Sequence, residues 1–308
     1  MNSKLSGRLF LSIVLVYVVA EVLLTFTPLR ASLDTVSLMI ISELIIIIPA
    51  IVVFLYTKER VREVFAFHLI KPSVILLCIL YTWMVLPLTA SLNVFTLFFT
   101  RNEATQIFDS LSPAGLGMLA VFAAVAAPVV EECAFRGILY TGFRRNGSAL
   151  QAIILTALLF GLFHMNLNQM LYAFGLGIFF AMLRETTGSV IPGIICHMTV
   201  NGGSVLALLL EGGSAEELRE AQEEVLTNDN LMMALAFLIV AAFIGVAIAL
   251  CVLVLIAKKE GGLGRLEGIW KDRKSSAGAV MGPSLIIGMA LCVIVIVGIL
   301  VVEHIKLA

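Results

Sequence analysis

The sequence predicts an all-α fold: a polytopic transmembrane helical bundle of about eight or nine spans. Apolar residues make up 60% of the 308-residue chain and charged residues only 13%, against about 45–50% and about 25% in an ordinary soluble domain. The apolar residues form long continuous runs rather than alternating with polar ones, which favours helices over a membrane β-barrel. A water-soluble fold is excluded, because no single core of this size can bury so much apolar surface.

Nine segments are long and apolar enough to be considered as spanning helices, each of which needs about 20 residues. They are 9–29, 36–57, 73–99, 113–140, 149–165, 168–184, 189–210, 231–257 and 279–302. The first is longer than the apolar core of about 7–15 residues in a cleaved signal peptide, so we expect it to stay as an anchor. Three regions are predicted: N-terminal helices at 1–112, a core with polar motifs at 113–211, and an acidic loop with C-terminal helices at 212–308.

Basic residues give this set of spans an orientation. With nine spans, sixteen of the 20 Lys and Arg residues fall in the turns on one side. The other four lie on the opposite side: Arg30, Arg101, Arg219 and Lys306. Because cytoplasmic loops carry the excess of Lys and Arg, we predict a cytoplasmic N-terminus and an external C-terminus in a cell membrane.

The composition argues against nucleic-acid binding and against a disulfide framework. The net charge of −1 leaves no basic footprint for nucleic acid. The acidic loop at 211–230 contains Ser214 and Glu217 in a capping-box pattern; it either attracts a basic substrate or is a solvated linker helix. The five cysteines lie in apolar runs without metal-site spacing, so we interpret them as helix-packing residues rather than a disulfide framework. They are Cys78, Cys133, Cys196, Cys251 and Cys292.

Ionisable groups inside membrane spans are costly and mark a functional site by default. Most of them here gather in three short motifs of the central region, namely PVVEECAFRG, FGLFHMN and CHMTVN. Their polar and aromatic members are Glu131, Glu132, Arg136, Phe160, His164, His197 and Asn201. Glu21 and Glu43 stand alone in the first two spans and are interpreted as packing or interface residues.

Helix geometry separates the members of each motif. Residues four apart share a face, so Glu132 can pair with Arg136, whereas Glu131 is turned about 100° away and stays free to react. His197 and Asn201 likewise share a face. Phe160 lies one turn before His164 and can cover the same side.

The residues of the three motifs are predicted to lie at similar depths in the membrane. At about 1.5 Å per residue, Glu131, His164, His197 and Asn201 lie about 15–27 Å from the nearest predicted inner turn. Four polar groups from three helices therefore fall in one band and can converge. A purely structural network that joins helices remains an alternative, although it does not require two carboxylates and two histidines.

Such a set supports hydrolysis. Glu131 can take a proton from water, His164 can align that water or pass the proton to a leaving amine, and His197 with Asn201 can stabilise an oxyanion. Alternatively, Glu131, His164 and His197 form a His₂Glu set that can bind Zn²⁺, although the spacing differs from HExxH. A proton-coupled transporter is a further reading, but its inverted-repeat halves are not visible.

The three motifs resemble those of a known family. EECAFRG fits EExxxR, FGLFH fits FxxxH and HMTVN fits HxxxN, in that order. The region 113–211 is similar in this respect to the CAAX protease and bacteriocin-processing family, which includes type II CAAX prenyl endopeptidases.

The resemblance implies an intramembrane endopeptidase for a membrane-embedded or lipid-modified substrate, surrounded by membrane lipids. It implies Glu131 and His164 as catalytic residues and His197 and Asn201 as the oxyanion-stabilising pair. Glu132, Arg136 and Phe160 would then support the site. Members are described both as glutamic proteases and as metalloproteases, so the need for zinc stays open. A non-catalytic scaffold or bacteriocin-immunity protein that retains the motifs is the alternative function.

Overall fold

The computed structural model describes residues 1–65, 67–100, 117–118, 120–211, 228–274 and 280–307. Within these ranges the chain folds into helices and turns without strands, as expected for an all-α bundle. The acidic loop, with Ser214 and Glu217, lies almost entirely outside the described residues. The boundaries expected at 112/113 and 211/212 fall in or beside the same gaps, so the three regions remain predictions.

The helices follow the predicted apolar runs closely. The first five are α1 (Ser3–Phe26), α2 (Leu29–Ser32), α3 (Thr35–Thr57), α4 (Val61–Val64) and α5 (Pro72–Thr96). α6 covers residues 122–144 in four consecutive stretches, Phe122–Ala126, Ala127–Glu132, Cys133–Leu139 and Tyr140–Arg144. After it come α7 (Ala149–Phe163), α8 (Leu167–Thr187), α9 (Ile191–Glu211), α10 (Asn228–Lys259), α11 (Leu263–Lys271) and α12 (Pro283–Leu307).

The molecule is a multi-pass membrane protein. Among the described residues, six helices are long and apolar enough to cross a membrane: α1, α3, α5, α8, α10 and α12. Large apolar side chains remain exposed on these helices, for example Val19 on α1 and Phe243 on α10, as expected for surfaces that face lipid tails. The other three predicted spans correspond to α6, α7 and α9. With 15 residues, α7 is about 22 Å long, shorter than a hydrocarbon core of about 30 Å.

Buried side chains form two clusters that share the central helices. The larger cluster joins α6 and α7 to α1, α3 and α12, and includes Phe10, Phe135 and Leu159. The smaller one joins α8 and α9 to α5 and α10, and includes Tyr81 and Phe180. The central helices α6 to α9 therefore pack between two groups of helices, each of which combines N-terminal and C-terminal segments.

The predicted inner turns meet at one end of the bundle. The backbone N–H of Ser3 donates to Oδ1 of Asn146 at 2.9 Å, and the backbone N–H of Lys71 donates to Oε1 of Glu260 at 3.1 Å. These bonds join turns that are far apart in the sequence. The alternation of the helices that underlies the charge argument is therefore consistent with the contacts.

Candidate active site

Glu131 and Glu132 close an α-helical stretch that is followed at once by π-helix. Residues Ala127–Glu132 are α-helical, whereas Phe122–Ala126 before them and Cys133–Leu139 after them have π geometry. The assumption of 3.6 residues per turn is therefore wrong on both sides of the motif. Single-turn π segments inside α-helices are frequent at functional sites, because they widen the helix and redirect its side chains.

Glu132 and Arg136 nevertheless form the expected pair. Nη1 of Arg136 donates to Oε1 of Glu132 at 2.7 Å, and both side chains are fully buried. The guanidinium also stacks over the Phe160 ring, with Cζ 4.2 Å from the ring centroid. In this way Phe160 and Arg136 join α7 to α6 behind the reactive residues.

Two glycines make room for this buried pair. A Cβ atom on Gly193 would lie 2.7 Å from Oε2 of Glu132, and one on Gly177 would lie 3.1 Å from Nη2 of Arg136. A side chain at Gly193 would collide with Glu132, and one at Gly177 would first meet the Cα atom of Ala157 on α7, at 2.9 Å. α8 and α9 can therefore approach α6 closely only because glycine stands at both contacts.

His164 lies in a turn and not inside a span as the predicted range 149–165 implied. α7 ends at Phe163, and His164 is its C-cap. Met165 then adopts a left-handed backbone with φ of 52°, and Asn166 caps the start of α8 by accepting from the Gln169 backbone N–H. The turn leaves His164 at the end of a short helix, directed by its own local bonds.

One of those bonds fixes the protonation pattern of the imidazole. Nδ1 of His164 lies 2.8 Å from the Phe160 carbonyl oxygen. Because a carbonyl oxygen can only accept, Nδ1 carries the proton and Nε2 keeps its lone pair. The neutral ring can therefore accept a proton or a hydrogen bond through Nε2.

His197 and Asn201 come from α9. Nε2 of His197 lies 3.7 Å from Oε2 of Glu131, and Nδ1 lies 3.3 Å from Oε1 of Glu132. Asn201 donates from Nδ2 to the Ala123 carbonyl oxygen at 2.9 Å, which joins α9 to the first π stretch of α6.

Glu131, His164, His197 and Asn201 line one cavity of about 260 Å³, together with Phe160. The structure thus brings together four groups that the sequence placed at similar depth, and it keeps Glu132 and Arg136 buried behind them. Apolar side chains complete much of the wall, including Leu176 and Val200. The cavity combines a carboxylate, two imidazoles and an amide in a largely apolar setting, which suits proton transfer and oxyanion stabilisation.

Comparison with known proteins agrees with this geometry. Residues 113–203 match the family model described as type II CAAX prenyl endopeptidase Rce1-like. This segment of the chain is therefore similar to the CAAX protease family. The matched range contains α6, α7 and α8 and the part of α9 that carries His197 and Asn201. No curated protein and no solved structure matches the chain.

The match supports, in general terms, the activity of a protease, that is, a hydrolase of peptide bonds. The family match does not extend to α1–α5 or to α10–α12. Those helices nevertheless contribute to the cavity, since Met39 and Glu43 of α3 belong to its wall.

Glu43 is the cavity residue that sequence reasoning missed. Its side chain is only 9% exposed, and its Oε2 atom has no hydrogen-bond partner among the described residues. No motif surrounds Glu43 in the sequence, which predicts only a packing or interface residue there. The structure instead places its carboxyl group in the wall of the cavity.

A catalytic zinc site needs three protein ligands close together around one point. Among the described residues, no group of three or more His, Cys, Asp or Glu side chains is close enough to hold a metal ion. The set Glu131, His164 and His197 does not fit a three-ligand zinc site as it stands.

Proposed function

We propose that this chain is an intramembrane endopeptidase in which Glu131 and His164 activate water to hydrolyse a peptide bond of a lipid-modified or membrane-embedded substrate. The observation that carries the proposal is the convergence of Glu131, His164, His197 and Asn201, from α6, the α7–α8 turn and α9, on one cavity. A polar network that only joined helices would not need such a cavity.

Water is the nucleophile in this proposal. Glu131 removes a proton from the water, and the lone pair on Nε2 of His164 orients it by accepting its second hydrogen. The water oxygen then attacks the carbonyl carbon of the substrate. As the C–N bond breaks, the proton held by Glu131 passes to the leaving amine, directly or through His164, so atoms and charges balance.

His197 and Asn201 stabilise the oxyanion that forms on the attacked carbonyl. An amide nitrogen has two N–H donors, and the Ala123 carbonyl uses one from Asn201, which leaves the other for the substrate. His197 supplies a second donor when Nε2 carries its proton. Loss of one such donor typically costs about 10²–10³ in kcat.

Glu132 and Arg136 position this apparatus. The Arg136 guanidinium neutralises Glu132, so that Glu131 is the carboxylate left beside His197 at the cavity. Phe160 closes one side, with its ring edge-on to both imidazoles at centroid distances of 5.1 and 5.7 Å.

The substrate class follows from the cavity wall and the family. A wall of apolar side chains that opens within a membrane bundle suits a peptide next to a lipid chain or a transmembrane segment. The partner is therefore a lipidated, CAAX-like or otherwise membrane-associated peptide or protein, in a cell membrane with the N-terminus cytoplasmic and the C-terminus external. The sixteen-to-four distribution of basic residues supports that orientation.

Cleavage of an internally quenched peptide with a farnesylated CAAX end tests the proposal, beside an unprenylated copy. We expect the detergent-purified protein to cleave the prenylated peptide and Glu131→Gln to lower the rate about 10²–10⁴-fold, the usual contribution of a general base. Glu21→Gln is the matched control, since Glu21 is half-buried in α1 and does not line the cavity.

Two outcomes contradict the proposal. If Glu131→Gln cleaves as fast as the wild type, water activation by Glu131 is wrong. If folded wild-type protein cleaves neither peptide nor membrane-embedded peptides, a non-catalytic scaffold or immunity protein is favoured. A strong chelator, followed by added zinc, reports separately on metal dependence.

A further inference from the structure

A second cavity, of about 200 Å³, lies at the inner end of the bundle, where α6, α8 and α11 meet. Four arginines line it: Arg144, Arg145, Arg184 and Arg265. Two glutamates, Glu63 and Glu185, belong to the same wall. The wall therefore carries more positive than negative charge.

Two of the arginines are matched by carboxylates. Nε of Arg144 donates to both carboxylate oxygens of Glu185, at 3.1 and 3.2 Å. Arg145 holds Glu59 with two bonds, at 2.6 and 3.1 Å. These pairs fix the rim of the cavity and neutralise half of its guanidinium charge.

The other two arginines donate hydrogen bonds to backbone carbonyls, and Arg184 also lies over the Tyr140 ring, with Cζ 5.8 Å from the ring centroid. Arg184, 8% exposed, donates from Nε to the Arg136 carbonyl at 3.1 Å and from Nη2 to the Val64 carbonyl at 3.2 Å. Arg265 donates from Nε to the Thr186 carbonyl at 2.9 Å. Both guanidinium groups are thus held in place while most of their N–H donors stay unused.

The position of the cavity relative to the membrane comes from α11. This short helix buries Ile269 but leaves Trp270 64% exposed, and Arg273 stacks on that indole with Cζ 4.3 Å from the ring centroid. A helix with an exposed Trp beside basic residues is typical of the lipid headgroup region. Since Arg265 belongs to α11, a position of α11 in the headgroup region would bring the cavity to the level of the lipid phosphates.

We propose that this cavity binds a phosphate-bearing anion between Arg184 and Arg265, with an anionic phospholipid headgroup as its source. Guanidinium forks match the planar pairs of phosphate oxygens, and basic pockets between membrane helices on this side bind anionic headgroups. The site is separate from the catalytic cavity, and the inference goes beyond the proposed protease function without depending on it.

Binding would add a contact between α11 and α8, the helix that is hydrogen-bonded to α6 at this end of the bundle. Arg184 of α8 already holds the backbone of Arg136, the partner of Glu132, and Tyr140 of α6 donates its hydroxyl to Glu185 of α8. An anion shared by Arg184 and Arg265 would connect α8 to α11 at the same place. The bound protein should therefore unfold at a higher temperature.

The test measures thermal unfolding of the full chain in neutral detergent, with added dioleoylphosphatidylglycerol, dioleoylphosphatidylcholine or inorganic phosphate. We expect phosphatidylglycerol to raise the Tm by several degrees more than phosphatidylcholine. Arg265→Gln should abolish most of that difference, and Arg265→Lys should keep part of it. The control is Lys258→Gln, which removes the same charge from an exposed position at the end of α10, outside the cavity.

Each outcome decides the question. If phosphatidylglycerol raises the Tm and this rise requires Arg265, a lipid headgroup is supported as the ligand. If inorganic phosphate raises the Tm equally and with the same need for Arg265, the same site is supported with a free anion as the ligand. If Arg265→Gln and Lys258→Gln lose the rise equally, the attraction is diffuse and the proposal is wrong. Because Arg265 is exposed, the variant should fold; native mass spectra of retained phosphatidylglycerol give a second readout if its basal Tm changes.

Discussion

Nε2 of His197 lies 3.7 Å from Oε2 of Glu131. The same imidazole turns Nδ1 toward Glu132, at 3.3 Å from Oε1, so one ring from α9 contacts both carboxyl groups of the adjacent pair on α6. The two carboxyl groups differ in their other surroundings. Glu132 is fully buried against Arg136, whereas Glu131 faces the cavity.

This difference predicts opposite effects of the same substitution at adjacent positions. Glu132→Gln leaves the Arg136 guanidinium buried without its countercharge, and breaking a buried pair costs about 3–5 kcal/mol. Glu131→Gln removes only the 3.7 Å contact with His197, and it should change stability by less than about 1 kcal/mol while it abolishes cleavage. Thermal unfolding in detergent, measured beside peptide cleavage, separates the two effects. Equal stability of the two variants would contradict the assignment.

Glu43 should show a trade-off between stability and activity. An unsatisfied buried polar group costs about 1–3 kcal/mol, so Glu43→Met should raise the Tm by a few degrees. If its carboxyl group contacts substrate, cleavage should fall about tenfold, the effect of losing about 1.4 kcal/mol of transition-state binding. Glu21→Met is the control and should leave cleavage unchanged. Full activity of the Glu43→Met variant would show that Glu43 only packs in the bundle and does not contact substrate.

The sequence alone was sufficient to predict where the long helices lie and that the motif residues group together. Apolar runs located α1, α3, α5, α10 and α12, because hydrocarbon requires long unbroken apolar segments. The pairing of Glu132 with Arg136 followed from helical spacing. These features depend on residues close together in the chain.

Features that depend on packing between segments far apart in the sequence could not be predicted in this way. Glu43 reaches the cavity because α3 packs against α6, and no local spacing encodes that contact. The π stretch Cys133–Leu139 and the left-handed Met165 also escaped, since both arise where neighbouring helices constrain the backbone. A signal for the close approach was present in Gly177 and Gly193, but glycine alone does not reveal which side chain it faces.

Gly193→Ala tests that close approach. The added Cβ atom would lie 2.7 Å from Oε2 of Glu132, so the buried pair must shift. Overpacking of this kind typically costs about 1–3 kcal/mol, and cleavage should fall because Glu131 moves with its neighbour. On the same helix, a Cβ atom at Gly203 meets nothing within 4 Å, so Gly203→Ala should be neutral or slightly stabilising. Similar losses of Tm in both variants would show that helix flexibility, rather than the contact with Glu132, matters.

The inner end of the bundle should respond to acid through Glu59. Arg145 donates to Glu59 at 2.6 and 3.1 Å, the terminal amine of Met1 contacts the same carboxylate, and these cations lower the pKa of Glu59 from 4.5 to about 2. Because the folded pKa lies below the unfolded one, the stabilisation is complete above pH 4.5 and is lost as the pH falls toward 2.

Glu59→Gln should therefore lower the Tm at neutral pH and flatten its decline over that acidic range. The double variant with Arg145→Gln should show a coupling of at most about 1 kcal/mol, since Arg145 is partly exposed to solvent. Glu63→Gln is the matched control, because Glu63 is half exposed and lies 3.6 Å from Arg60. Parallel Tm curves for wild type and Glu59→Gln between pH 4.5 and 2 would mean that other carboxylates control the acid response.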